Sequence, residues 1–247
     1  MRIIALVTLL FLVFSLSGQT FQVKDPEFIF YMLGITALDL SNNLYVDINI
    51  NKLTEAEMAA LDPGQLPFFD KWISCNYDKK LKKASDYTIY GTVAATLLTV
   101  YDEDYFWDNL MVYSKILMTQ SALCKWVKSL TLRERPYLYD VENKINTKQS
   151  RQSFFSSHAS TAFASATFAY YYYLDNYGAS IPAAALLFGG AVATSCLRVA
   201  AAQHFPSDVV TGALMGSLIS YCICKVHSTD RIKYNFGYNS LTIGIGF

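Results

Sequence analysis

The chain has 247 residues, a length that suits one domain better than two. Twenty Lys and Arg residues balance twenty Asp and Glu residues, so the charge gives no reason to expect a nucleic-acid partner. Charged residues make up 16% of the chain and aromatic residues 15%, a composition typical of a mostly buried helical protein or of one at a membrane.

Residues 1–18 predict a cleavable signal peptide. Arg2 supplies a positive start, Ile3 to Phe14 form an apolar stretch, and small residues at 15, 17 and 18 offer a cleavage site. An uncleaved anchor helix is the alternative, but the apolar stretch is short for a membrane span. The protein is therefore predicted to be exported, to the periplasm or to the outer face of the inner membrane.

Residues 19–85 are predicted to form an N-terminal helical and polar segment that packs on the core. The pattern from Asp25 to Asp47 predicts a helix with interrupting polar positions. The polar, turn-rich stretch 49–83 contains a short helix that begins near Leu53 and ends at Asp62-Pro63-Gly64. We expect this stretch to serve as scaffold.

Residues 86–227 are predicted to form the core of an all-α helical bundle of about six helices. Five helices are predicted at about 86–101, 106–130, 157–175, 181–200 and 207–226; acidic residues 102–104 separate the first two, and proline or glycine marks the later helix ends. Residues 228–247 form a C-terminal extension, in which alternating polar and apolar residues from Tyr234 predict a strand or hairpin.

Only two of these helices, within 181–199 and 209–226, approach the apolar content of a membrane span. The others carry many polar side chains, and the connecting loops lack the basic residues expected on a cytoplasmic face. The sequence therefore favours a compact bundle that can rest on a membrane surface.

The five cysteines do not predict a disulfide framework. Cys222 and Cys224 are two residues apart in one apolar helix and point to different sides, while Cys124 and Cys196 lie in other apolar stretches. We interpret the cysteines as small buried hydrophobic side chains.

Two of the three histidines lie beside polar residues at the ends of apolar helices. His204 is followed four residues later by Asp208, across a turn at a helix start. This spacing lets a carboxylate hold one imidazole nitrogen while the other faces a pocket, as a nucleophilic or basic histidine requires. Arg198 closes the preceding helix. The third histidine, His227, has no such neighbours and is interpreted as a helix-end residue.

His158 opens a helix directly after Ser156 and Ser157, where hydroxyl groups and free backbone amides can bind an anion. Lys128 and Arg135 are seven residues apart, which on a helix places both on one face. Together these residues supply what phosphoryl transfer requires, namely cations and amide donors around a phosphate, a nucleophile with its acid, and a second proton carrier.

The motifs are similar to a known family. Lys128-x6-Arg135-Pro136, Ser156-Ser157-His158 and Arg198-x5-His204-x3-Asp208 resemble the three-part signature of the type 2 phosphatidic acid phosphatase (PAP2) family. Its superfamily also includes bacterial acid phosphatases and vanadium haloperoxidases. The order of the motifs and the gaps between them suit the family, and the surrounding helices extend the resemblance over about 86–227.

The resemblance implies a role for each matched residue. His204 would be the nucleophile that becomes a phosphohistidine, Asp208 would orient it, and His158 would be the general acid and then the base that activates water. Phosphate would be bound by the remaining residues of the motifs, which are Lys128, Arg135, Ser156, Ser157 and Arg198. The cations make a metal unnecessary, so the resemblance implies no metal and no cofactor.

Three positions depart from the family pattern. Phe155 replaces the usual proline, Ser157 the usual glycine before His158, and Leu197 the usual serine before Arg198. A glycine lets the backbone amide approach phosphate closely, so Ser157 matters most. We expect an active enzyme with altered specificity.

Three functions remain open from the residues and the resemblance. A phosphatase would act on a phosphorylated lipid or a small phosphoester, either a monoester or a pyrophosphate, with a membrane surface as a further candidate partner and no nucleic acid. A vanadium haloperoxidase would bind vanadate in the same pocket, although such enzymes tend to be much longer. An inactive exported scaffold would keep the helices without the activity.

Overall fold

The structure is a computed structural model that describes residues 19–73, 75–140, 145–229, 232–237 and 240–245, the last two ranges as backbone. The predicted signal peptide, residues 1–18, lies outside the described residues. The α-helices in the described part of the chain are α1 (Asp25–Asn49), α2 (Glu55–Ala59), α3 (Lys79–Thr99), α4 (Phe106–Thr131), α5 (Ser157–Tyr177), α6 (Ile181–Ala200) and α7 (Pro206–His227). Short 3-10 helices occupy Pro63–Gln65, Pro136–Tyr139 and Lys148–Arg151.

The prediction of an all-α bundle of about six helices is confirmed, since six long helices form the bundle and α2 is a single short turn. One boundary was wrong: α3 begins at Lys79, well before the predicted start near residue 86. The Asp78 side chain accepts hydrogen bonds from the amides of Lys80 (2.7 Å) and Leu81 (3.0 Å), so it caps the helix. The boundary predicted at residue 85 therefore falls inside α3.

The C-terminal extension forms an antiparallel hairpin. Strand β1 (Ile232–Gly237) pairs with β2 (Ser240–Ile245), with Ile232 opposite Ile245 and Gly237 opposite Ser240. The alternating pattern from Tyr234 predicted a strand or hairpin in this region, and the two strands bear it out.

The helices run alternately in opposite directions, so the bundle has two distinct ends. We call one the capped end, where α1, α4 and α6 finish and α3, α5 and α7 begin, and which also holds residues 50–73, 75–78, 132–140 and 145–156. At the opposite end, the terminal end, the Gln22 amide donates to the His227 carbonyl (3.0 Å) and the Thr229 amide to the Thr20 carbonyl (3.0 Å). The two ends of the chain segment that forms the bundle therefore meet at the end of the bundle opposite the capped end.

Aromatic rings fill the core between α4 and α5. The Tyr113 ring stacks on Phe168 with 5.0 Å between ring centroids, and the Phe21 ring stacks on Phe168 (5.3 Å) and on Tyr171 (5.8 Å). The cluster also contains Val100, Val112, Ile116 and Tyr172, all buried. Burial of these large apolar side chains is the main force that holds the bundle together.

The helices α5 and α7 approach each other closely because α7 carries glycine at two facing positions. A Cβ atom on Gly212 would lie 2.6 Å from the Ser156 carbonyl oxygen, and one on Gly216 would lie 2.1 Å from the Ser160 carbonyl oxygen. Two glycines four residues apart allow such backbone contact between helices. The starts of α5 and α7 are therefore held side by side at the capped end.

Two helices, α6 and α7, are long and apolar enough to cross a membrane, and only 28% of the most apolar stretch of each is buried. A core helix of a water-soluble bundle would be mostly buried. Large apolar side chains are also exposed along other helices and in the loop before α3, among them Phe30, Leu33, Leu44, Phe68, Phe69 and Trp72. The bundle thus presents an unusually apolar outer surface.

The interpretation of the cysteines was right for two of them and wrong for two others. Cys124 and Cys224 are buried, whereas Cys196 and Cys222 are exposed because they lie on the outward faces of α6 and α7. Cys222 and Cys224 do point to different sides, as their spacing predicts. All five cysteines are free.

Candidate active site

The predicted pair His204 and Asp208 lies at the capped end, and both side chains are fully buried. His204 lies in the turn between α6 and α7, and Asp208 lies in the first turn of α7, where its Oδ2 accepts a hydrogen bond from the Phe205 amide (2.9 Å). The His204 Nδ1 is 3.6 Å from Asp208 Oδ2. The Ser153 hydroxyl donates to the same carboxylate oxygen (2.6 Å) and lies 3.5 Å from His204 Nδ1. Asp208 and Ser153 therefore fix one side of the imidazole.

The other nitrogen of His204, Nε2, is buried and has no hydrogen-bond partner among the described residues. Burial, followed by the positive charges of Arg135, Lys128 and Arg198, lowers the pKa of His204 well below its usual value of 6.5. The imidazole is therefore neutral at physiological pH, with a lone pair on a nitrogen that faces cations. A neutral imidazole in such a place is suited to attack an electrophile that carries negative charge.

The charges of three predicted cations act on His204. The Gln203 side-chain oxygen accepts hydrogen bonds from Arg135 (3.1 Å) and from Arg198 (3.2 Å), so Gln203 links the two guanidinium groups. The Lys128 ammonium, which is buried, donates to the Gln152 carbonyl (2.8 Å). Buried cations held in fixed positions bind oxyanions strongly, because the low local dielectric strengthens the attraction.

A polar cavity of about 390 Å³ opens beside Arg135 and Arg198. Its wall carries a further cation, Lys82 of α3. The remaining lining residues are Tyr77, Tyr137, Ile145, Thr147, Gln149 and Gln203. An anionic group in this cavity would contact Arg135, Arg198 and Lys82.

Ser156 and Ser157 play different roles at the start of α5. Ser156 is buried: its amide donates to the Asp208 carbonyl (3.0 Å), and its hydroxyl accepts from the Ala159 amide (3.4 Å) as the helix cap. The amides of Ser157 and His158 are the first two of the helix, and such amides have no acceptor within a helix. These two amides form the positive end of α5 and can bind an anion.

His158 pairs with a carboxylate that the sequence did not indicate. Its Nε2 lies 2.9 Å from Asp86 Oδ1 in α3, and Arg198 lies 3.5 Å from the same oxygen. The two residues of the pair are 72 positions apart, and both side chains are about one-third exposed. No local spacing could have identified Asp86.

A second group that the sequence analysis did not identify, the Arg133 guanidinium, supports Asp208. The Arg133 guanidinium donates to Asp208 Oδ1 (2.6 Å) and to Asp70 Oδ2 (2.6 Å), and it stacks 4.5 Å from the centre of the Phe205 ring. Asp70 is fully buried and also accepts from the Ser207 amide (3.1 Å). Arg133 thus ties residues 66–73 to the start of α7 and neutralises the two carboxylates that it touches.

The departures from the family pattern lie around the site in different ways. Phe155 is buried, and its carbonyl accepts a hydrogen bond from the Cys124 thiol (3.4 Å), so its ring packs in the bundle. Leu197 and Ser157 are half-buried. Within the described ranges, no group of three or more His, Cys, Asp or Glu side chains could hold a metal ion.

The helical bundle carries its two histidines with carboxylate partners and its cluster of cations at the capped end, an arrangement that fits a phosphatase. The chain belongs to the PAP2 superfamily, whose sequence model matches residues 109–232, half of the chain. This range contains every residue of the three motifs, whereas Asp70, Lys82 and Asp86 lie before it.

Two solved structures are similar to this chain. The crystal structure of Aquifex aeolicus LpxE is 21% identical, with a TM-score of 0.46 over 62% of this chain and 90% of that one. The crystal structure of the first transmembrane PAP2 type phosphatidylglycerolphosphate phosphatase from Bacillus subtilis is 17% identical, with a TM-score of 0.44 over 78% of this chain and 94% of that one. No curated protein matches the chain.

Proposed function

We propose that this protein is a metal-independent phosphatase that hydrolyses a phosphomonoester or a pyrophosphate through a phosphohistidine on His204. One observation carries the proposal most directly: the fully buried Nε2 of His204 has no partner among the described residues and lies within the field of Arg135, Lys128 and Arg198. A nitrogen so placed is hard to explain as a packing residue, because a buried polar atom without a partner is unfavourable.

In the first step, the lone pair of His204 Nε2 attacks the phosphorus atom. The N–P bond forms while the bond from phosphorus to the leaving oxygen breaks, and His158 gives that oxygen a proton. Asp208 favours the positive charge that develops on the His204 ring, and it lies 3.6 Å from Nδ1. The product alcohol or phosphate leaves, and His204 carries the phosphoryl group.

In the second step, His158 takes a proton from a water molecule while the water oxygen attacks phosphorus. The N–P bond breaks, its electron pair returns to Nε2, and inorganic phosphate is released. Both enzyme groups are then in their starting states. His158 suits this double role because its side chain is 28% exposed, which allows water to reach it.

The cations and helix amides supply the electrostatic part of catalysis. Lys128, Arg135 and Arg198, with the amides of Ser157 and His158, would bind the equatorial oxygens of the phosphoryl group as charge is redistributed in the transition state. Loss of one preorganised donor of this kind costs enzymes roughly 10²- to 10³-fold in rate. The side-chain cations take the part that a metal ion plays in other phosphatases.

The substrate is a phosphorylated lipid or a small phosphoester, and we propose that the bundle lies in a membrane. The exposed apolar faces of α6 and α7 support this placement, since most of each helix is not covered by protein. The polar residues of the site gather at the capped end, where a headgroup at the membrane surface could enter. We further propose that residues 1–18 act as a signal peptide, so that the protein is exported.

The proposal is tested with His204→Ala, using His227→Ala as the matched control. His227 lies at the terminal end, in contact with Lys115 (3.2 Å), so the control makes the same change far from the site. We expect His204→Ala to abolish phosphate release from p-nitrophenyl phosphate and from an alkyl phosphate, and His227→Ala to retain it. Activity should survive chelators, and vanadate should inhibit it as a mimic of the five-coordinate state.

Three results would contradict the proposal. Full loss of activity with a chelator, with rescue by a divalent cation, would exclude the metal-independent mechanism. Halide oxidation with peroxide and vanadate, without phosphate release, would identify a haloperoxidase. No turnover in either assay would identify an inactive scaffold.

A further inference from the structure

We propose that Asp86 is a positioning residue for His158, so that the site contains a second imidazole and carboxylate pair. This inference rests on the proposed function, because it assigns Asp86 a part in the proton transfers of His158. Asp86 lies outside the range matched by the PAP2 superfamily, so the family motifs do not include it.

The geometry is that of an oriented imidazole. Asp86 Oδ1 accepts a hydrogen bond from His158 Nε2 at 2.9 Å. With Nε2 held by Asp86, Nδ1 is the nitrogen that can exchange a proton with the leaving group and later with water. A carboxylate on one ring nitrogen selects the tautomer and the orientation of the ring, and it thereby makes the other nitrogen useful as an acid or base.

The Asp86 carboxylate is itself held in place. The Arg198 guanidinium lies 3.5 Å from Asp86 Oδ1 and 3.2 Å from the hydroxyl of the adjacent Ser85. Arg198 also donates to Gln203, so the same guanidinium connects the phosphate-binding cations with the support of His158. Phosphate bound between the cations would therefore affect the position of Asp86 through Arg198.

The charges around His158 show why a carboxylate is needed there. Burial, followed by the charges of Arg198 of α6 and of Arg135 from the segment after α4, lowers the pKa of His158 to about 4. Asp86 of α3 favours the protonated ring through a hydrogen bond and through its charge. A general acid must carry a proton before it can give one away, so removal of the Asp86 charge should deprive His158 of its proton at lower pH.

The test compares Asp86→Asn with Asp47→Asn. Asp47 lies at the end of α1, also at the capped end, and its side chain is 79% exposed, so the control removes the same charge without touching His158. We expect Asp86→Asn to lower kcat for an alkyl phosphate by on the order of ten-fold or more, while the burst of nitrophenol from p-nitrophenyl phosphate keeps its rate. An alkoxide needs a proton to leave, whereas nitrophenolate hardly does.

Two further measurements separate positioning from a general structural role. The basic limb of the pH profile of kcat for the alkyl phosphate should move to lower pH in Asp86→Asn, and Asp86→Glu should restore part of the activity. In a His158→Ala background, Asp86→Asn should cause no further loss, because Asp86 acts through His158.

Effects that multiply in the double variant, or an unchanged pH profile in Asp86→Asn, would overturn this inference. So would equal losses for Asp86→Asn and Asp47→Asn. None of these results bears on the phosphohistidine, which is tested separately with His204→Ala and its His227→Ala control. The two proposals can therefore fail independently.

Discussion

The site contains two histidines that each contact a carboxylate, but the two regions that hold them are built differently. His204 and Asp208 belong to one turn, are both fully buried, and are fixed by Ser153 and Arg133. His158 and Asp86 come from two separate helices, and about one-third of each side chain is exposed.

The difference matches what each proposed step demands of its environment. Attack on phosphorus requires a neutral nitrogen shielded from water, which burial among cations provides at His204. Exchange of protons with a leaving group and with water requires solvent at the other histidine. The fold meets both needs by placing one histidine, fully buried, in the turn before α7 and the other, partly exposed, at the start of α5.

The largest effect that separates the two regions is expected from His158→Ala. Cleavage of an alkyl phosphate should fall by roughly 10²- to 10⁴-fold, because general acid catalysis is lost. The burst of nitrophenol from p-nitrophenyl phosphate should remain, and the second step should stall without its base. Phosphorylated His204 should then accumulate, detectable as a phosphate that is labile to acid and stable to base. Equal loss on both substrates without trapped phosphate would show that the two histidines do not divide the work in this way.

The next largest effect is expected from a change that forces α5, which carries His158 in its first turn, away from α7, which begins just after His204. Gly216→Ala would place a Cβ atom 2.1 Å from the Ser160 carbonyl oxygen, so α5 and α7 must move apart. We expect destabilisation of about 1–3 kcal/mol, as for other overpacked sites, measured by thermal or denaturant unfolding. The Gly189→Ala control in α6 adds a Cβ atom with nothing within 4 Å, and it should stabilise the helix by up to about 1 kcal/mol. Similar unfolding curves for the two variants would contradict the close contact of α5 and α7.

The smallest effect concerns pH. Burial and then Arg135 lower the pKa of His204 below 6.5, so the nucleophile stays unprotonated as the pH falls through the usual histidine range. The acid limb of kcat/KM for p-nitrophenyl phosphate that reports His204 should therefore lie below pH 6.5. Arg135→Gln removes one of the charges that oppose protonation, so it should reduce activity and move this limb to higher pH. A wild-type limb at or above pH 6.5 would contradict the buried, cation-facing nitrogen of His204.

Whether a contact in the site could be predicted from the sequence depended on how far apart the two residues lie in the chain. His204 and Asp208 are four residues apart, so their meeting depends only on one turn. The helices themselves could be predicted because each has its own apolar pattern and its own end signals. The roles of Asp86 and Asp70 could not be predicted. Their partners His158 and Ser207 are 72 and 137 residues away, and only packing of the whole bundle brings them together.

Other errors have local causes. The start of α3 was placed too late because the lysine-rich residues 79–83 were interpreted as part of a polar, turn-rich stretch, although Asp78 caps the helix there. Phosphate binding by Ser156 stays a prediction; in the structure its amide donates to the Asp208 carbonyl and its hydroxyl accepts from the Ala159 amide. Exposure of Cys196 and Cys222 could not be inferred, since apolar composition alone does not tell which face of a helix is covered.

The meeting of residues 20–22 with residues 227–229 has a practical consequence for work on the protein. Because this junction lies at the opposite end of the bundle from His204, a fluorescent protein or affinity tag joined near either position would not obstruct substrate entry. If the bundle crosses a bilayer, such a reporter and the catalytic residues would lie in different compartments. A reporter active only in the cytoplasm, or only outside it, would then reveal on which side of the membrane the hydrolysis takes place.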